Sequence, residues 1–137
     1  MKIGFVCDKH SNRSVIAEGL AIKILKELGL KAEVYSASLE PDKEIAEITL
    51  ELLKEKGLNV ANVKNNTLED IPYEELDVFV MICDKLDKTC PYTISHKRRE
   101  TWLVEEPHPL TREELKRTID KIERFLKDLF RYDKLSK

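Results

Sequence analysis

The chain has no excess of charge of either sign. Its 24 lysines and arginines face 26 acidic residues over 137 positions, a net charge of -2. That argues against a generic partner with a strong negative field, whether nucleic acid or an anionic membrane surface. It has no apolar run near the ~20 residues that a membrane helix needs. The N-terminus has one lysine and then a short apolar stretch, Ile3 to Cys7, too short for a secretory signal. The sequence therefore predicts a cytoplasmic protein without a membrane partner. Cysteine is scarce, with only Cys7, Cys83 and Cys90. In a reducing compartment such a set does not suggest a structural disulfide framework, which leaves buried, catalytic or redox-active roles. There is no internal repeat, low-complexity tract or linker. Residues 1–137 read as one domain, long enough to bury a core.

What is present is an alternation of strand and helix signals. Residues 2–7 form a strand, 8–12 a loop, and a helical pattern runs over 13–28 until Gly29 caps it. Residues 32–36 read as a second strand. Pro41 is placed to start a helix whose inner face is Ile45, Ile48, Leu52 and Leu53, with Gly57 ending it. Residues 60–70 are irregular. Residues 77–82 are the most apolar strand, predicted to be central and parallel. Residues 84–97 are polar and contain Pro91, so they read as a long loop or a breakable helix. A fourth strand spans 100–104 around Trp102. Thr111 with Glu114 makes a capping box for a last helix reaching about Phe130. This alternation predicts an α/β fold: a parallel sheet in three layers with helices on both faces. Ligands in such sheets bind at strand carboxyl ends, where Cys7 and Cys83 both fall.

Cys7 and Arg13 frame the segment Cys7-Asp8-Lys9-His10-Ser11-Asn12-Arg13-Ser14. A cysteine at a strand end, a tight loop and an arginine opening a helix suit a tetrahedral oxyanion. Loop N–H groups and the helix N-terminus point at the anion, and the guanidinium clamps it. Ser14 is placed to donate to the thiolate. The same positive field is expected to depress the Cys7 pKa and make it a nucleophile near neutral pH. The plainer alternative is an inert buried cysteine followed by a helix-capping arginine. A zinc site is a weaker option: Cys7 and His10 have metal-like spacing, but no second compact ligand pair follows.

The segment resembles the loop of the low-molecular-weight protein tyrosine phosphatase family. More particularly it resembles that family's thioredoxin-coupled arsenate reductases, with Cys7, Ser11, Arg13, Ser14, Ala17, Glu18 and Gly19 in matching places. The likeness continues through Cys83 and Cys90-Pro91, then His96 to Trp102, then Glu105-Glu106-Pro107. The resemblance implies a four-stranded sheet in the order 2-1-3-4 and a relay of three cysteines without a cofactor or resident metal. Cys7 attacks arsenate, with Glu106 as proton donor. Cys83 then attacks Cys7, releasing arsenite, and Cys90 draws the disulfide outward to Cys83–Cys90. A thioredoxin-like reductant closes the cycle. An intact helix over seven residues spans about 10.5 Å, beyond the ~7 Å between bridged Cα atoms. The segment 83–97 is therefore expected to be mobile.

The chain departs from the family at Lys9, His10, Asn12 and Glu106. If Lys9 or His10 takes a left-handed conformation, it costs roughly 1 kcal/mol. Glu106 replaces an aspartate, with Glu105 as the alternative acid. Glu18 and Ser36 match a potassium site of some relatives, but His10 replaces its asparagine, so no metal is expected. Two other readings stand beside the reductase. One is a phosphatase acting on phosphomonoesters through a Cys7 phosphoenzyme, and the other a non-catalytic oxyanion binder.

Overall fold

The computed structural model describes residues 1–58, 60, 63–84 and 98–131. The strands are β1 (Lys2–Cys7), β2 (Glu33–Ser38), β3 (Val78–Cys83) and β4 (Arg98–Leu103). The helices are α1 (Asn12–Leu28), α2 (Glu47–Glu55) and α3 (Arg112–Arg131). The strands form one sheet in the order β2-β1-β3-β4, and every neighbouring pair is parallel. This is the order and direction expected. The two central strands, β1 and β3, are too hydrophobic to face water on either side, whereas the edge strands β2 and β4 are more polar and partly exposed. Every residue of β3 is buried, as a central parallel strand requires.

Side chains alternate across a strand, so the sheet divides its residues between two cores. One face carries Phe5, Cys7, Val80 and Ile82 against Leu20 of α1, Leu53 of α2 and Ile119 of α3. The other carries Val6, Phe79, Met81 and Cys83 against Ile71 and Leu76. The second layer includes the short 3₁₀ turns Leu68–Asp70 and Tyr73–Glu75. At the β4 edge, Trp102 stacks on Phe125, ring centroids 5.0 Å apart. Burial of such pairs adds roughly 0.5–1.5 kcal/mol beyond area alone.

Local signals mostly hold. Gly29 ends α1 at φ 70. Its N–H reaches Lys26 O and the Leu30 N–H reaches Leu25 O, the paired bonds of a left-handed helix stop. Thr111 Oγ1 accepts the Glu114 N–H at 3.3 Å, the expected cap of α3. Boundaries differ by two positions or more at three elements. β2 runs on to Ser38 because its end is paired with Cys7. β4 begins at Arg98, in register with Val78. Pro41 does not start a helix: α2 begins at Glu47. Residues 40–42 are held by the loop after β1 instead. Glu40 O accepts the His10 N–H at 2.8 Å, and the Asp42 N–H reaches Ser11 Oγ at 3.3 Å.

The strand order reverses between β1 and β3. That is the switch point at which ligands enter such sheets, and it puts the ends of both strands at one place. The expected mobility of 83–97 rests on residues 85–97, which lie outside the described residues, as does Cys90.

Candidate active site

Cys7 closes β1 and is fully buried. Its Sγ lies 3.1 Å from His10 O and 3.3 Å from Ser14 Oγ. The loop turns at His10, whose φ of 60 is left-handed, so of Lys9 and His10 it is His10 that bears the cost of that conformation. Ser11 caps α1, and Asn12 rather than Arg13 is its first residue. Two loop N–H groups have backbone partners outside the loop: Asp8 N–H on Ile82 O, and His10 N–H on Glu40 O. Ser11 Oγ bonds Asn65 Oδ1. Asn12 Oδ1 accepts from Thr49 Oγ1 at 2.9 Å.

Arg13 is 0% exposed and is the centre of the site. Nη1 donates to Val104 O at 2.9 Å and to Asp84 Oδ1 at 3.2 Å. Nη2 donates to Asp8 Oδ1 at 2.7 Å and to Lys9 O at 2.9 Å. Nε lies 3.4 Å from Glu106 Oε1. The guanidinium thus sits among three carboxylates, and its cation is shared before any ligand arrives.

Burial corrects the expected thiol chemistry. The Cys7 pKa is raised, not depressed. Burial is the largest cause. The Ser14 hydrogen bond and the Arg13 charge oppose it without winning. A thiolate here needs the desolvation to be offset by further positive field or a proton acceptor.

Glu106 is the acid that faces the loop. Its side chain is 14% exposed, 3.9 Å from His10 Nδ1, and its Oε2 accepts from Asn12 Nδ2 at 3.5 Å. Glu105 is exposed on the other side of the extended chain. Burial pushes the Glu106 carboxyl up, against the charges of Arg13 and His10. A carboxyl that keeps its proton at higher pH suits general-acid work. A cleft of about 310 Å3 leads from Glu106 past His108 toward Arg117 and Lys121. Glu106→Gln is expected to lower turnover by about 10²–10⁴. An unchanged steady-state rate in the variant would remove Glu106 from the chemistry.

His10 bonds Asp42 Oδ1 through Nδ1 at 2.7 Å. The Asp42 hydrogen bond is the largest cause raising the His10 pKa, ahead of opposing burial and the nearby Glu106 charge. A raised folded pKa makes the contribution to stability complete below the unfolded value, roughly 6.5. It is lost as pH rises through the folded value. His10→Asn keeps a residue tolerant of the left-handed backbone. It is expected to flatten the decline of the denaturant midpoint between pH 6 and 8. An equally steep decline in the variant would assign the slope to another group.

Cys83 ends β3 beside the site. It is not a free thiol but disulfide-bonded, whereas Cys7 is free. Cys7 pairs in register with Ile82, so Cys83 is one residue further and points into the opposite core. The two cysteines share the sheet edge, as expected, but not the same face. Ser36 Oγ donates to Glu18 Oε1 at 2.8 Å. Asp42, Thr49, Asn65 and Asp84 carried no local signal in the sequence, since their partners are distant in the chain.

The family model for low molecular weight phosphotyrosine protein phosphatase matches residues 2–137. The chain belongs to that family. It is 31% identical over 120 residues to arsenate reductase 2 of Staphylococcus epidermidis, covering 88% of each chain. It is 30% identical to the solved arsenate reductase of Archaeoglobus fulgidus, with a TM-score of 0.77 over 93% of this chain and 97% of that one. The low-molecular-weight tyrosine phosphatase of T. tengcongensis shares the fold at a TM-score of 0.78 and 20% identity, over 96% of this chain and 99% of that one.

Proposed function

We propose that the chain is a cytoplasmic arsenate reductase working by a Cys7, Cys83, Cys90 relay with a thioredoxin-like reductant. The observation that supports this reading best is the convergence of Cys7, Arg13 and Glu106 at the end of β1, with Cys83 ending the adjacent strand. Its arsenate-reductase relatives point the same way.

The steps balance as follows. Cys7 thiolate attacks arsenic, and the displaced oxygen leaves as water with a proton from Glu106. Arg13 holds the remaining oxygens. Cys83 thiolate then attacks the Cys7 sulfur, and the S–As electron pair stays on arsenic, which leaves as arsenite. Two electrons have moved from two thiols to arsenic. Cys90 thiolate attacks Cys83, restoring Cys7 and forming the Cys83–Cys90 disulfide. An external dithiol reduces that bond. A free Cys7 beside a disulfide-bonded Cys83 is compatible with the state after the internal exchange.

Phosphomonoester hydrolysis is the second reading, and one observation favours it. The Cys83 side chain faces the opposite core from Cys7, and hydrolysis needs neither Cys83 nor Cys90. One assay set separates the two. Arsenate-dependent oxidation of reduced thioredoxin and hydrolysis of an aryl phosphate are measured for wild type, Cys7→Ser, Cys83→Ser and Cys90→Ser. The relay requires all three variants to lose sustained arsenate turnover. Aryl phosphate hydrolysis lost only in Cys7→Ser, with no arsenate turnover in wild type, would establish the phosphatase. Silence in both assays would leave an oxyanion-binding protein.

A further inference from the structure

An arginine that clamps an oxyanion offers two adjacent N–H groups. Arg13 has little to offer in the state seen here. Its terminal nitrogens already donate to Asp84 Oδ1, Val104 O, Asp8 Oδ1 and Lys9 O. Its Nε is buried and has no hydrogen-bond partner among the described residues, and the same holds for the facing Glu106 Oε1. For a second N–H to become available, one internal acceptor must let go. The two carbonyls are part of the chain. Asp8 is held at 2.7 Å with its side chain 6% exposed, whereas Asp84 is held at 3.2 Å with its side chain 26% exposed. Asp84 is the weaker bond and the one water can most easily replace.

We propose that Asp84 is a positioning residue that fills the oxyanion's place on Arg13, and that an incoming oxyanion displaces it and so releases the end of β3. The carboxylate already makes the contacts an oxyanion would seek. Besides Arg13, its Oδ1 accepts the Glu106 N–H at 2.7 Å and its Oδ2 lies 3.6 Å from Lys9 Nζ. Its own N–H reaches Asp8 Oδ2 at 3.4 Å, closing the loop onto β3. Asp84 directly follows Cys83, so these bonds add to the pairing with β4, beyond which the Val104 N–H reaches Cys83 O at 3.0 Å, and to the Cys83 disulfide in holding the strand end. With an oxyanion on Arg13, like-charge repulsion and loss of the shared cation both expel Asp84. The strand end then loses one of its ties, and in the reduced protein Cys83 gains freedom to turn when the site is loaded. A relay ordered in this way avoids a Cys7–Cys83 disulfide forming without substrate. The inference rests on the reading of the loop as an oxyanion site, not on the identity of the oxyanion.

The test uses reduced protein titrated with inorganic phosphate and followed by amide NMR and hydrogen exchange. In wild type, phosphate is expected to shift the Asp84 and Glu106 resonances and to speed exchange at the Glu106 amide, as its acceptor leaves. Asp84→Asn, of the same shape, is expected to bind phosphate about tenfold more tightly, the size of one charge-assisted contact no longer competing. Phosphate binding that leaves Glu106 exchange unchanged in wild type would overturn the proposal, even if Asp84→Asn bound more tightly through charge alone. Equal or weaker binding by the variant would overturn it too. Arsenate turnover persisting in either case would leave the reductase reading intact. Phosphate failing to bind either protein would remove both.

Discussion

Cys7→Ser is expected to fold normally and to lose arsenate reduction by a factor on the order of 10⁴ to 10⁶, the scale at which removal of a nucleophile is felt. The hydroxyl fits the space of the thiol and finds the same neighbours, His10 O and Ser14 Oγ. What is lost is a group able to bond arsenic and then leave as one half of a disulfide. No other described cysteine is free to take over. The raised thiol pKa adds a second expectation. Wild-type turnover is expected to rise with pH above neutrality, because burial holds the Cys7 thiol up and more of it ionises as pH climbs. Initial rates over pH 5 to 10 for both proteins check both statements. Activity of the serine variant within tenfold of wild type would place the nucleophile elsewhere.

Arg13→Ala is expected to destabilise the fold by about 3–5 kcal/mol, the scale of removing one member of a buried ion pair. Asp8 would be left a buried carboxylate without its cation, and Val104 O and Lys9 O would lose their donor. Arg13→Lys restores charge but not the fork. A lysine cannot span Asp8 and Val104 at once, so it is expected to recover only part of the loss. Denaturant unfolding at constant slope reads both variants. A loss below about 1 kcal/mol in Arg13→Ala, the surface-pair range, would show that the cluster contributes little to folding.

β1 and β3 were open to reading because each is a short apolar run between polar breaks, with Cys7 and Cys83 at their ends, whereas the order of the strands in space came from the family resemblance. The loop between Cys7 and Arg13 stood out for a different reason, a fixed spacing of cysteine and arginine. Its electrostatics did not. The Cys7 pKa is raised chiefly by burial in the assembled fold, and the Arg13 charge that opposes it is shared with Asp84 and Glu106, 71 and more positions along the chain. Which of Glu105 and Glu106 faces inward depended on where the extended chain after β4 alternates. The helix expected at Pro41 failed because Glu40 and Asp42 bind the loop, and such a tie outweighs a preference for helix. The face on which Cys83 lies follows from period-two alternation once the β1–β3 register is known, and register has no local signal.

That face makes the relay most directly testable at its first disulfide. Cys90→Ser removes the thiol that would carry the disulfide onward. Reduced Cys90→Ser protein is treated with arsenate, quenched in acid with a thiol-blocking reagent and mapped by mass spectrometry. The relay predicts one equivalent of arsenite per chain and a Cys7–Cys83 disulfide that forms only with arsenate. Arsenite without that disulfide, or both thiols alkylated after arsenate exposure, would contradict it.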